Sequence, residues 1–392
     1  MNKYSLINFG YNPWSDFWKR NQTIFYFLTK ENIIGQSYFI NTPVWPMDLI
    51  TNPKAELAQP KVNNWKAMTG RKSNYFKGKI ITPVVLPMAA RNSCFKKVGD
   101  YILERNLIDI SSKNTILLVN RPDSWTRSLV ERRFSDVAIK IFDWSDDFEQ
   151  FTDDEATRKT IRDNVQYHIS SSDIVLCVND KLGEFAKKIN PNSQVVKNAT
   201  NYFTFEWAYP VRVRAFRTGR PLIGYMGWIN ELRLDEQLIE YLAKSRPEWD
   251  FVFVGPKSHE DALARLSARC QNVHLRDPVP YSNIPWVLSQ FDVCILPNLL
   301  NKHTAGNDPI KYFDYLASGK PIVSTDTAGA EYLAGYIEIA HDKQQFLDKI
   351  SDCLSHPKEE RERVAFGRLN SWSNRFNEVR ELIYEALARN ER

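Results

Sequence analysis

Residues Asn307 to Thr325 read N-D-P-I-K-Y-F-D-Y-L-A-S-G-K-P-I-V-S-T. This stretch predicts a helix, a sharp stop and a buried strand in immediate succession. Tyr312, Phe313, Leu316 and Ala317 recur at helical spacing. Gly319 stands where a glycine ends a helix, and Pro321 prevents its resumption. Pro309 suits a first helical turn, where no backbone donor is needed. Pro321-Ile-Val-Ser-Thr then reads as a short strand. A short apolar strand entered from a helix belongs to a parallel sheet with helices on its faces.

The same alternation recurs along the chain. Expected strands are Tyr4 to Phe9, Ser37 to Asn41, Thr115 to Asn120, Val137 to Phe142, Asp173 to Val178 and Gln194 to Lys197. A second series follows at Pro221 to Met226, Trp249 to Pro256, Val273 to Arg276 and Asp292 to Pro297. Expected helices include 16–29, 95–106, 155–170, 181–189, 235–244, 284–290 and 373–389. The fold class is therefore α/β, with two doubly wound, Rossmann-like sheets. A length of 392 residues suits two domains. The expected division is 1–205, a linker at 206–220, a second domain at 221–371, and a last helix at 372–392 returning to the first domain.

The 307–325 stretch resembles the donor-site motif of GT-B glycosyltransferases, in the form N-x-P-x-K-x-x-E-Y-L-A-x-G-K-P. The nearest resemblance is to the group holding the teichuronic-acid-type transferases and the xanthan glucuronosyltransferase. Asp314 stands where that motif has glutamate. Gly306 occupies the place of the second glutamate that retaining relatives carry eight residues earlier. The resemblance implies a GT-B fold and a nucleoside-diphosphate sugar as co-substrate, UDP-linked by preference. It implies a donor site at Gly227, Arg233, Lys257, Arg276, Val279, Tyr281, Asn307, Lys311 and Asp314. Gly227 to Arg233 follows the G-x-I-x-x-R-x-D pattern with an insertion at Asn230-Glu-Leu. Arg276 to Tyr281 (R-D-P-V-P-Y) resembles the segment whose backbone reads the base. Lys311 and Arg233 are suited to phosphates, and Asp314 to a sugar or ribose hydroxyl. Asn198-Ala-Thr-Asn resembles the segment that closes the first domain, with Ala199 in place of glycine.

The first domain carries the acceptor-side candidates. Trp14, Trp18, Arg20 and Gln22 resemble a W-x-x-x-W-x-R-x-Q stretch, which the resemblance turns, with Gly10, toward the cleft. Equally, the two tryptophans suit packing along one helix face. Asp143, Asp146 and Asp147 follow an expected strand end, the position where α/β folds place chemistry. One of them suits a general base that deprotonates an acceptor hydroxyl. They also suit a helix cap. With the second glutamate absent, the expected stereochemistry is inversion. No D-x-D metal motif stands at a convincing site, so no cofactor and no essential metal are expected.

Charge separates the remaining classes. The chain carries 52 Lys and Arg against 47 Asp and Glu. The excess is local: 54–105 holds a strongly basic run in which Trp65, Tyr75 and Phe76 interleave with Lys61, Lys66, Arg71, Lys72, Lys77 and Lys79. Basic and aromatic residues together suit an anionic membrane surface. A solvated loop is the other reading, and no nucleic-acid motif is present. The five cysteines form no C-x-x-C pair, which points to a reducing compartment. No signal-peptide pattern opens the sequence, and no apolar run reaches membrane-spanning length. The expected location is cytoplasmic, with peripheral contact at the inner face of the membrane through 61–79. The expected acceptor is lipid-linked or a polysaccharide. The competing functions are a GT-B-fold nucleotide-sugar epimerase, which turns over without an acceptor, and a decayed nucleotide-sugar-binding module.

Overall fold

A computed structural model describes residues 3–14, 19–43, 71–83, 111–206, 216, 219–257, 262–301, 304, 309–327, 329–356 and 360–390. It divides into two compact units, Met1–Lys197 with Phe376–Arg392, and Asn198–Arg375.

The first unit begins with β1 (Tyr4–Phe9), α1 (Arg20–Leu28) and β2 (Ile34–Ile40), then the short β3 (Arg71–Lys72) and β4 (Gly78–Ile81). It continues through β5 (Thr115–Val119), α2 (Ser124–Arg133), β6 (Ile139–Trp144), α3 (Glu155–Ser170), β7 (Ile174–Cys177), α4 (Asp180–Lys187) and β8 (Ser193–Val195). Its sheet runs β3-β4-β2-β1-β5-β6-β7-β8, parallel throughout except for the outermost pair, β3 with β4. β5 is buried along its whole length, as a strand covered by helices on both faces must be. Asp123, Asp154 and Asn179 start α2, α3 and α4 by accepting a backbone N–H three residues on.

Two features differ from the sequence reading. The basic stretch is regular within its described part: 71–83 forms a hairpin, with β4 pairing in parallel with β2. Only Ile80 and Ile81 of β4 are buried, too short an apolar run to announce a strand. Second, β6 runs on to Trp144, so Asp143 lies inside the strand rather than beyond its end. The expected helix at 95–106 lies outside the described residues.

The second unit starts at Asn198, ahead of the expected linker, because Thr200 bridges to Ser371 and α5 (Tyr202–Glu206) follows at once. Then come β9 (Leu222–Met226), α6 (Glu236–Ser245), β10 (Asp250–Val254), α7 (Ala262–Arg269), β11 (Val273–Arg276), α8 (Ile284–Gln290) and β12 (Val293–Leu296). The helix expected with Pro309 in its first turn begins at Lys311 as α9 (Lys311–Ala317), and β13 (Ile322–Thr325) follows it. β14 (Glu338–Ala340), α10 (Lys343–Ser355) and α11 (Glu360–Leu369) complete the unit. The sheet order is β11-β10-β9-β12-β13-β14, all parallel. All carboxyl ends therefore share one edge. α12 (Trp372–Asn390) starts in this unit and ends in the first. There Phe376 stacks on Phe27 at 5.2 Å and the Tyr384 hydroxyl meets the Glu31 carboxylate at 3.1 Å.

Candidate active site

In the first unit Gly10, Trp14, Arg20 and Asp143 prove to be interior. Trp14 is 3% exposed and sits among Phe25, Phe39 and Phe76, with ring centroids 5.0–5.9 Å away. Its backbone N–H is held by the Asn41 side chain at 2.8 Å. Gly10 is buried against the Phe39 ring, which lies 2.5 Å from where a Cβ would be. Neither residue lines an open surface, because the aromatic side chains around them need burial more than exposure. Trp18 lies outside the described residues.

Arg20 and Asp143 correct the reading most. Asp143 is fully buried and Arg20 is 3% exposed. The guanidinium of Arg20 meets Asp143 Oδ1 at 2.8 Å through two nitrogens, and Asn120 donates to Oδ2 at 2.8 Å. Arg20 also donates to the Val196 carbonyl at 2.6 Å. Both carboxylate oxygens are thus occupied, so Asp143 joins strand to helix instead of taking a proton from an acceptor. The base candidates reduce to Asp146 and Asp147, both partly exposed. Asp147 faces Lys181 at 3.5 Å.

The second unit gathers its candidates at the carboxyl edge. α9 is fixed by two buried tyrosines. Tyr315 accepts the Met226 N–H at 2.7 Å, and the Tyr312 hydroxyl lies 2.6 Å from Ser324 and 3.0 Å from Thr327. With the helix held at the end of β9, Lys311 lies across Gly227: a Cβ there would stand 1.9 Å from the lysine Cε. The Lys311 ammonium rests 5.2 Å from the centre of the Tyr225 ring. Burial raises the Tyr225 phenol well above the ordinary tyrosine range, and the charge of Arg233 partly offsets that rise. Lys311 is therefore the cation that packs on this buried ring. Gly227 has φ +148 and Gly255 has φ +151, conformations glycine reaches without strain. Gly255 lets the turn after β10 lie against the Gly227 carbonyl, 1.9 Å from where its Cβ would be.

The other donor candidates divide. Lys257 is exposed and pairs through its backbone with Ile229. Arg276 is exposed, its guanidinium donating to the Leu275 carbonyl at 3.1 Å. Val279 packs on the apolar cluster that includes Met226 and Val254. Asn307 lies outside the described residues. Among the described residues no His, Cys, Asp and Glu cluster has metal-binding geometry, and Cys177, Cys270, Cys294 and Cys353 are buried and free.

Comparison with known proteins agrees with this architecture. The chain aligns with sucrose-phosphate synthase from Thermosynechococcus elongatus at a TM-score of 0.70 and 13% identity, over 99% of this chain and 100% of that one. HepE from Anabaena, solved with UDP-glucose, aligns at a TM-score of 0.65 and 9% identity, over 97% and 100%. This is the GT-B glycosyltransferase fold. The family model of the glycosyl transferases group 1 matches residues 220–356, which lie within the second unit. Over 211 residues the chain is 28% identical to the putative teichuronic acid biosynthesis glycosyltransferase TuaH of Bacillus subtilis strain 168, covering 51% of this chain and 52% of that protein. The match thus spans about half the length of this curated relative.

Within this GT-B domain Asp314 departs from the expected role. It is 5% exposed, and its Oδ1 accepts from the Thr200 hydroxyl at 2.8 Å and the Tyr281 hydroxyl at 2.9 Å. That oxygen ties the start of the unit to the loop after β11 and is not open to a ribose hydroxyl. Tyr281, also expected at the donor, is committed to the same tie.

Burial raises the Asp314 carboxyl to about 6, opposed by the two hydroxyls and by Lys311. A carboxyl raised on folding stabilises most below its unfolded pKa and loses that contribution as pH climbs through the folded value. Asp314 accordingly lowers stability between about pH 4 and 6, by on the order of 3 kcal/mol. Asp314→Asn keeps the accepting oxygen and removes the charge. It is expected to melt higher than wild type at pH 7 and to lose the slope between pH 4 and 6, read as melting temperature across that range. A variant melting several degrees lower at pH 7 would contradict this.

The sequence reading missed Tyr225 and Thr200. An aromatic inside the otherwise aliphatic run Leu-Ile-Gly-Tyr-Met was the available signal for Tyr225. Nothing local marks Thr200, whose partner is 114 residues away.

Proposed function

We propose that the chain transfers a sugar from a nucleoside-diphosphate sugar, UDP-linked by preference, to a lipid-linked or polysaccharide acceptor in cell-surface glycan synthesis. The packing of Lys311 across Gly227 and against the Tyr225 ring carries this reading. A diphosphate needs concentrated positive charge and close backbone approach, and this corner supplies both. HepE, solved with UDP and with UDP-glucose, supports the nucleotide class, and the name of TuaH supports the glycan context.

In the proposed reaction the acceptor oxygen attacks the anomeric carbon. The bond from that carbon to the diphosphate breaks, and the acceptor proton passes to a carboxylate. Lys311 and Arg233 stabilise the charge that grows on the departing diphosphate, without a metal. Asp146 or Asp147 takes the proton, and the anomeric configuration inverts. Product anomer assignment by NMR and activity in a chelator test these two features.

The reading also includes peripheral contact with an anionic membrane through the hairpin of β3 and β4. Lys72 and Lys77 are exposed there, and so is Tyr75 at its turn. Among the described residues no helix is long and apolar enough to cross a membrane.

The decisive experiment is a thermal-shift panel of UDP, GDP, ADP and their sugars on wild type and Lys311→Ala. A ligand at about 100 times its dissociation constant adds roughly 2.7 kcal/mol of stability. Wild type is expected to respond to one nucleotide. Lys311→Ala is expected to bind it about 10–100 times more weakly, the loss of a charge-assisted contact. No response to any nucleotide would refute the reading. Turnover without an acceptor would indicate an epimerase instead.

A further inference from the structure

One exposed side chain on the turn that Lys311 lies across has no part in the site as described. Trp228 directly follows Gly227 and is 50% exposed. Its backbone is nevertheless rigidly placed. The Trp228 carbonyl accepts from the buried Tyr225 hydroxyl at 3.0 Å, and the next residue, Ile229, donates to the Pro256 carbonyl at 2.9 Å. Tyr225 therefore supports Lys311 with its ring and Trp228 with its hydroxyl. Two more apolar side chains stand on the same rim. Leu232 is 59% and Leu300 is 63% exposed. Their loops are stitched together, Leu299 N–H to the Arg233 carbonyl at 2.7 Å and Asn301 to the Leu232 carbonyl at 3.0 Å. A fixed backbone carrying a half-exposed indole one residue after Gly227, on the turn that Lys311 lies across, with exposed leucines on the loops after β9 and β12, describes a surface for a ligand that is anionic at one end and partly apolar at the other.

Resting on the nucleotide-sugar reading above, we propose that Trp228 is the platform on which the donor's pyranose ring stacks, and that it sets the preference for the sugar-loaded nucleotide over the free one. A nucleobase has two apolar faces and gains most in an enclosed slot. A pyranose has one C–H face, with hydroxyls around it that stay hydrated, and an open indole matches that face. Transfer adds a second requirement. The sugar must remain open to the incoming acceptor, so its contact belongs on an exposed rim beside the diphosphate cations.

The test is calorimetric titration of wild type, Trp228→Ala and Trp228→Phe with the nucleoside diphosphate that wild type takes from the panel. Its glucose, galactose, glucuronic acid and N-acetylglucosamine conjugates are titrated alongside. Wild type is expected to prefer one conjugate over the free nucleotide. In Trp228→Ala that preference falls about tenfold, the scale of one aromatic contact, while affinity for the free nucleotide is unchanged. Trp228→Phe retains most of the preference, which separates stacking from loss of fold. Equal weakening of free and conjugated nucleotide assigns the indole to the nucleoside and overturns the proposal. So does an unchanged preference in Trp228→Ala, or a wild type that binds every conjugate no better than the free nucleotide. A wild type that binds no nucleotide at all refutes the parent reading instead.

Discussion

Arg20→Ala is expected to destabilise the first unit by about 3–5 kcal/mol, because it leaves Asp143 charged, buried and without its cation. Among the described residues Asp143 retains only Asn120 as a donor in that variant. The same change frees the Val196 carbonyl from its 2.6 Å contact, loosening the end of β8 as well. Denaturant unfolding of the separate variants Arg20→Ala, Asp143→Asn and the pair measures the coupling. The pair should cost less than the sum of the singles, since each single change strands the other partner. The measurement also decides the chemistry. Removing a general base slows transfer by about 100–10,000-fold, whereas a buried tie affects turnover only through folding. Asp143→Asn, assayed at a temperature where it remains folded, is expected to keep transfer within about tenfold of wild type. A larger loss in a demonstrably folded variant would return Asp143 to the catalytic set.

Gly255→Ala is expected to disable the donor corner and to cost about 3 kcal/mol or more in stability. An alanine at φ +151 is strained by roughly 1–3 kcal/mol. Its methyl would also overlap the Gly227 carbonyl, which is backbone and has no rotamer to escape into. Relief requires the turn after β9 to move, and that turn is the surface along which Lys311 lies. Nucleotide affinity should therefore fall together with melting temperature. Gly335→Ala is a control for the strain: its φ is +97, yet nothing stands within 4 Å of its Cβ position. It should show the backbone cost without the loss of nucleotide. If Gly255→Ala binds nucleotide as tightly as wild type, the close approach of the two turns is not part of the site.

The sheets were legible because each depends on local information. Fully buried parallel strands such as β5, β9 and β10 announce themselves as short apolar runs. Gly319, at φ +75, ends α9 where the sequence marks an end. Lys311 and Gly227 were found through a motif, and the fold brings them into contact across 84 positions. What escaped was whatever is decided by distant partners. Asp143, Arg20 and Trp14 are residue types that serve equally at a surface or in an interior, and it is partners such as Asn120, Val196, Phe25 of α1, Phe39 of β2 and Phe76 of the hairpin turn that decide between the two. Asp314 is the same case, since its carboxylate reads as a ligand contact until Thr200 and Tyr281 are seen to occupy it. The hairpin of β3 and β4 was hidden because β4 gains its order from backbone pairing with β2, and the edge strand β3 from pairing with β4, so neither needs much hydrophobicity of its own.

The path of α12 has a consequence for how the chain is made. Phe376 and Tyr384 complete the first unit by packing on Phe27 and Glu31, and Asn390 closes on the Ala138 carbonyl at 3.0 Å. About 180 residues of second unit are synthesised between Lys197 and these partners. At 5–20 residues per second, the earlier unit waits roughly 10–35 seconds on the ribosome with the seat of α12 uncovered. The second unit meets no such delay, since its strands and helices are consecutive in sequence. Synthesis order and completion order are therefore reversed: the part that emerges first is finished last, and the seat around Phe27 is what a chaperone would find exposed on the nascent chain.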